Sequence, residues 1–141
     1  MTGTAAGDSD WIALYGSLMR GLGAMDRLGL GDQLRFVGPC VLEGALFDLG
    51  RYPGLRHGDG RVVAELYALL SPGVLDALDA FEDYQPARPR DSLYLRERIR
   101  LVEPAETEVW VYVYNSVPDA SCRIPDGDWR AQLARRAPDT P

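Results

Sequence analysis

Ser71–Tyr84 reads SPGVLDALDAFEDY, and this stretch decides the class of fold. Pro72 stands where a first helical residue needs no N–H, and Ser71 before it is a residue type that caps helices. Val74, Leu75, Leu78 and Phe81 recur at helical spacing and share one arc of the wheel. Pro86 and Pro89 end the segment. On either side of this helix the chain reads mainly as strand. Trp11–Tyr15 is a continuous apolar run suited to a strand buried on both faces. Phe36–Gly50 and Arg61–Leu70 read as two longer strands, separated by a loop over Arg51–Gly60 with its Pro-Gly and Asp-Gly pairs. LYLRERIRLVE and EVWVYVYN alternate with period two. In the second, Val109, Val111 and Val113 share one face, and Trp110, Tyr112 and Tyr114 the other.

One solid helix among several strands predicts an α+β fold, a small mixed β-barrel flanked by a few helices. A short helix fits at Ala24–Leu28 between glycines, and another starts at Asp128. The expected organisation is a disordered leader over residues 1–10, one domain over 11–130 and a flexible tail over 131–141.

The 141 residues are enough to bury a core without disulfides or metal. No apolar run approaches the roughly 20 residues that span a bilayer, and the small, acidic start is unlike a signal peptide. A cytoplasmic protein with no membrane partner is expected. A net charge of -6 argues against a nucleic-acid partner. All fifteen basic residues are Arg, and the absence of Lys excludes Schiff-base chemistry and a G-K-[ST] phosphate loop. Cys40 and Cys122 stand alone, which excludes a Cys-rich zinc site and favours two buried thiols over a disulfide. No cofactor or metal is expected, and the expected assembly is a monomer or a weak homodimer.

The wheel also singles out a carboxylate. Asp76, Asp79 and Asp83 fall opposite the apolar arc, as solvent-facing acids do, but Glu82 lies inside it, four residues after Leu78. A buried carboxylate has a raised pKa, which is what general acid–base catalysis near neutral pH requires. The plain alternative is an ion pair with Arg96 or Arg98, or a side chain reaching water from the helix end. His57 is the sole histidine, and no G-x-S-x-G turn supports a Ser17–His57 pair. An enzyme built from these residues would rely on one carboxylate, backbone donors and a nucleophile brought by the substrate.

LYGSLMRG, GALFDLGRYPGL, VVAELYAL, LDALDAFEDY, YLRERIRL, VWVYVYN and IPDGDW, in this order between Trp11 and Trp129, resemble the γ-glutamylcyclotransferase-like family. The likeness is to its bacterial branch, with the γ-glutamylamine cyclotransferases and plant avirulence-induced-gene proteins. The resemblance implies a β-barrel with flanking helices and a cofactor-independent acyl-transfer or lyase-type enzyme that releases 5-oxoproline from a γ-glutamyl amide or amine. It assigns the catalytic acid–base to Glu82, and substrate binding to Tyr15, Gly16, Ser17 and Leu18 through backbone N–H groups. It adds Tyr94 and Arg96 as a Tyr-x-Arg pair, and the late-strand tyrosine as Tyr114, which spacing does not separate from Tyr112. The implied partner is a small γ-glutamyl molecule. A non-catalytic binder of an acidic metabolite on the same fold is the alternative.

Overall fold

β1 (Trp11–Leu14) lies at the centre of the only sheet found among the described residues, which are 10–136 of this computed structural model. Its apolar residues face both ways because both sides of the sheet are covered. Ala13 joins one buried cluster with Leu42, Val62 and Val111, while Ile12 and Leu14 join a second with Val74 and Leu78. The continuous run WIAL is therefore a consequence of two-sided burial.

The remaining elements are α1 (Ala24–Leu28), β2 (Leu34–Asp48), β3 (Pro53–Leu69), α2 (Gly73–Phe81), β4 (Tyr94–Arg100), β5 (Glu108–Tyr114) and α3 (Trp129–Arg136). The sheet order is β2-β3-β1-β5-β4, with β1 and β5 parallel and every other pair antiparallel. Its two edges meet beyond β4. Val41 N–H donates to Glu103 O and Val102 N–H donates to Val41 O, each at 2.9 Å, which curls the sheet toward a barrel. Val109, Val111 and Val113 point into one cluster and Tyr112 into the other, as their alternation predicts.

Three local expectations change. The loop expected over Arg51–Gly60 is mostly strand, because Pro53 to Arg56 pair with Asp48 to Ala45. The glycines mark a bulge instead. Pairing jumps from Glu43–Arg61 to Ala45–Arg56, and Gly60 at φ 123° lets its backbone close on Gly44, where a Cβ would meet Gly44 O at 2.8 Å. Ser71 does not cap α2; its hydroxyl donates to Gln33 Oε1 at 3.0 Å, and Pro72 takes the cap position. The tail boundary at 131 moves outward, since α3 continues to Arg136 with Asp128 Oδ1 accepting from Ala131 N–H. The leader's residues 1–9 and the tail's 137–141 lie outside the described residues. Cys40 and Cys122 are both free thiols, but only Cys40 is buried as expected; Cys122 is partly exposed.

Candidate active site

β1 ends at Leu14, and the chain turns at once through Gly16–Leu18. Met19 N–H donates to Gly16 O at 2.9 Å and closes the turn. The N–H groups of Gly16, Ser17 and Leu18 donate to no other described residue. Gly16 packs closely on Pro53, since a Cβ there would stand 3.1 Å from Pro53 Cδ and Cγ. The turn forms one wall of a recess of about 350 Å³, mouth included, whose other walls carry Pro53, Tyr94, Tyr112 and Glu82. Tyr52 is exposed at its margin.

Glu82 caps the C-terminus of α2, its N–H bonded to Leu78 O at 2.9 Å. Its side chain makes no hydrogen bond or ion pair with another described residue. The cations offered by the sequence are engaged elsewhere: Arg96 with Asp79, and Arg98 with Glu108 at 3.5 Å. Burial against the recess walls pushes the Glu82 carboxyl up to about 8. Among the described residues it is the only acid lining the recess, and no cation lines it.

The helix wheel needs correcting around this residue. Asp79, expected to face solvent, is 6% exposed, whereas Phe81 is 37% exposed. The buried arc is rotated toward Asp79, which lies about 40° beyond Leu75 at 100° per residue. Buried, Asp79 meets Arg96 twice, Nε to Oδ1 at 2.8 Å and Nη2 to Oδ2 at 3.2 Å, and accepts from the Tyr112 hydroxyl at 2.7 Å. Burial, and then the bond to Asp79, pushes the Tyr112 phenol up, so it keeps its proton.

The structure brings Tyr15, Gly16, Ser17, Leu18, Tyr94 and Glu82 to one recess. The Tyr15 hydroxyl is engaged within the protein, donating to Tyr112 O at 2.7 Å and accepting from Leu55 N–H at 3.1 Å. Arg96 does not line the recess; its guanidinium sits on Asp79 and over the Trp110 ring at 4.4 Å. Tyr114 does not line it either. Its Cβ packs where a Cβ on Gly54 would come within 2.9 Å, and its ring stands edge-on to Tyr94 at 5.7 Å. Tyr112 takes the place expected for Tyr114. His57 lies 2.7 Å from Glu97 and apart from Ser17.

Sequence reasoning missed the groups that hold the turn in place. Buried Glu65 accepts from Arg20 N–H at 2.8 Å and the Tyr67 hydroxyl at 2.9 Å, and pairs with Arg130 at 3.3 Å. Burial alone raises its pKa, but these donors and the two guanidiniums outweigh it and hold it below the ordinary value. Arg130 Nη2 also donates to Arg20 O at 2.6 Å. Farther along α3, Gln132 donates to Asp48 at 2.9 Å and Arg136 to Gly50 O at 2.9 Å, at the turn that leads to Tyr52 and Pro53. A lone acid inside the apolar run VVAELYAL was the available signal for Glu65. Among the described residues no three His, Cys, Asp or Glu side chains come together as a metal site, and no helix is long and apolar enough to cross a membrane.

Comparison with known proteins gives the family and the fold. The family model described as Gamma-glutamyl cyclotransferase, AIG2-like matches residues 12–131. The chain is similar to the Gamma-glutamylcyclotransferase family protein YtfP of Escherichia coli strain K12, at 34% identity over 84 residues, 60% of this chain and 66% of that protein. The solution NMR structure of protein ytfP from Escherichia coli aligns with TM-score 0.64 and 29% identity, over 87% of this chain and 98% of that one. The crystal structure of an aig2-like protein from Mus musculus shares the fold, with TM-score 0.65 and 21% identity over 84% of this chain and 86% of that one.

Proposed function

Because this chain belongs to the Gamma-glutamyl cyclotransferase, AIG2-like family, we propose that it releases 5-oxoproline from a γ-glutamyl amide or amine, with Glu82 as general acid–base. The observation that carries this reading is the juxtaposition in one recess of an unpartnered carboxyl at about 8 and a turn with three uncommitted N–H groups. The substrate supplies its own nucleophile. Glu82 takes a proton from the α-ammonium, and the freed lone pair attacks the γ-carbonyl carbon while the C=O electron pair moves onto oxygen. Gly16, Ser17 and Leu18 N–H groups receive that oxyanion or the glutamyl carboxylate. As the tetrahedral centre collapses, the bond to the leaving nitrogen breaks and Glu82 returns a proton to it. The ring nitrogen gives up a second proton through the same carboxyl, and the products are 5-oxoproline and a free amine. Intramolecular attack has a high effective molarity, so no protein nucleophile is required.

No arginine or histidine among the described residues lines the recess, and the chain has no lysine. Substrate anions are therefore met by neutral donors, the turn N–H groups with the Ser17 and Tyr52 hydroxyls, which favours a small γ-glutamyl group with an uncharged γ-carbonyl. The test is a panel of γ-glutamyl amino acids, γ-glutamyl amines and glutathione, each assayed for 5-oxoproline. Turnover of one or more is expected. Heat stabilisation by 5-oxoproline or glutamate without turnover of any compound would identify a binding module instead.

A further inference from the structure

The recess has a polarity that residue types alone do not give. A phenol carries one proton and two lone pairs. Tyr94 donates its proton to Pro53 O at 2.5 Å, and Tyr112 donates its proton to Asp79 Oδ1 at 2.7 Å. Both protons are committed to the protein, so each oxygen has only acceptor capacity left for a bound molecule. Glu82, once ionised, adds a third acceptor to the same recess. The turn at Gly16–Leu18 offers the opposite character, with N–H donors and no acceptor side chain but the Ser17 hydroxyl. A ligand matching both sets carries a group with several N–H bonds and, a few atoms away, an oxygen.

Asp79 sets the direction of the Tyr112 bond. Its Oδ1 accepts from both Arg96 Nε and the Tyr112 hydroxyl, and its Oδ2 accepts from Arg96 Nη2. A carboxylate has no proton to give, so the hydroxyl beside it is the donor. Arg96 is itself fixed over Trp110, with its side chain 16% exposed, so the pair does not swing into water. The same carboxylate stands three residues before Glu82 on α2, which ties the helix end to β4 and β5.

We propose that Asp79, anchored by Arg96, is a positioning residue that fixes Tyr112 as a hydrogen-bond acceptor for the substrate's α-ammonium group, so that the site selects molecules with a free α-amine. This rests on reading the recess as the γ-glutamyl site. The selection acts at binding, before any proton moves.

The experiment measures the affinity of L-glutamate and of glutarate, which lacks the amine, by calorimetry. It uses the wild-type chain, Tyr112→Phe, Asp79→Asn and the double variant, with 5-oxoproline release followed in parallel. Wild type prefers L-glutamate. Tyr112→Phe reduces that preference by about tenfold, the effect of one hydrogen bond to a charged group, and leaves glutarate affinity unchanged. Asp79→Asn reduces it similarly, and in the Tyr112→Phe background it adds no more than about twofold, since the two residues act as one unit. A wild-type chain with no preference for L-glutamate overturns the proposal. So does a parallel loss of glutarate affinity, or a full second loss in the double variant, each of which marks Asp79 as merely structural. If Asp79→Asn does not fold, the ligand preference of Tyr112→Phe decides. Wild-type preference for the amine without 5-oxoproline from any γ-glutamyl amide removes the enzymatic reading and leaves this one standing.

Discussion

Asp79 and Glu82 leave the end of one helix three residues apart, and only Asp79 meets a cation. Arg96 holds Asp79 at 2.8 and 3.2 Å, while the Glu82 carboxyl sits in the recess with no partner among the described residues. One arginine therefore separates a structural acid from a reactive one. Had Arg96 paired with Glu82, the carboxyl would be held ionised as a weak base, and Asp79 would be a buried charge without compensation.

Glu82→Gln is expected to lower the rate of 5-oxoproline release by at least about 100-fold, the lower range for a lost acid–base group. The fold should survive, because Gln has nearly the same shape. Steady-state kinetics and circular dichroism on the purified variant check both points.

The stability of Glu82→Gln should depend on pH in a specific direction. A carboxyl at about 8 in the fold and about 4.5 in the unfolded chain binds its proton more tightly when folded. Wild-type stability is then greatest below about 4.5 with respect to this group, and it is lost as pH rises through about 8. The variant should melt close to wild type at pH 5 and above it at pH 9. Melting curves at the two pH values test this, and equal differences at both would assign the raised value to something other than Glu82.

The pH dependence of turnover carries the same value with the opposite benefit. As a base, Glu82 must be ionised, so kcat/KM should rise about tenfold per pH unit below about 8 and level off above it. The profile is measured with the best γ-glutamyl substrate, and any residual rate of Glu82→Gln should lack the inflection.

At the turn, backbone geometry should matter more than the hydroxyl. Ser17→Ala removes no main-chain donor and should keep activity within a few-fold. Gly16→Ala places a Cβ 3.1 Å from Pro53 and should cost about tenfold or more through a displaced turn, a loss in the range of misplaced catalytic geometry. A Ser17→Ala enzyme as inactive as Glu82→Gln would make Ser17 a reacting group.

Much of this was legible in the chain. β4 and β5 follow from alternation, because burial on a sheet face repeats every second residue whatever lies beyond it, and β1 follows from an unbroken apolar run that burial on both faces requires. Glu82 was legible because an acid on an apolar arc breaks that regularity. Asp79 was not, since the wheel sends acids to water unless a partner is known, and Arg96 comes from a different element. Tyr112 and Tyr114 share a strand face, so periodicity gives them equal claim; what separates them is Asp79 beneath one and Gly54 beneath the other. The Arg51–Gly60 segment was misread because Gly and Pro mark bulges and turns alike, and only the partner strand distinguishes them.

The grip of α3 on the turn at Gly16–Arg20 has a consequence for the order of events in the life of the chain. The turn is among the first parts of the described chain to be synthesised, and Arg130, which holds it through Arg20 O and Glu65, is among the last. A nascent chain still lacking α3 thus carries every residue of the recess but not the brace that steadies it. Loss of the segment from Trp129 onward would remove that brace together with a core side chain that is 1% exposed, so the recess depends on a helix that contributes no residue to its lining.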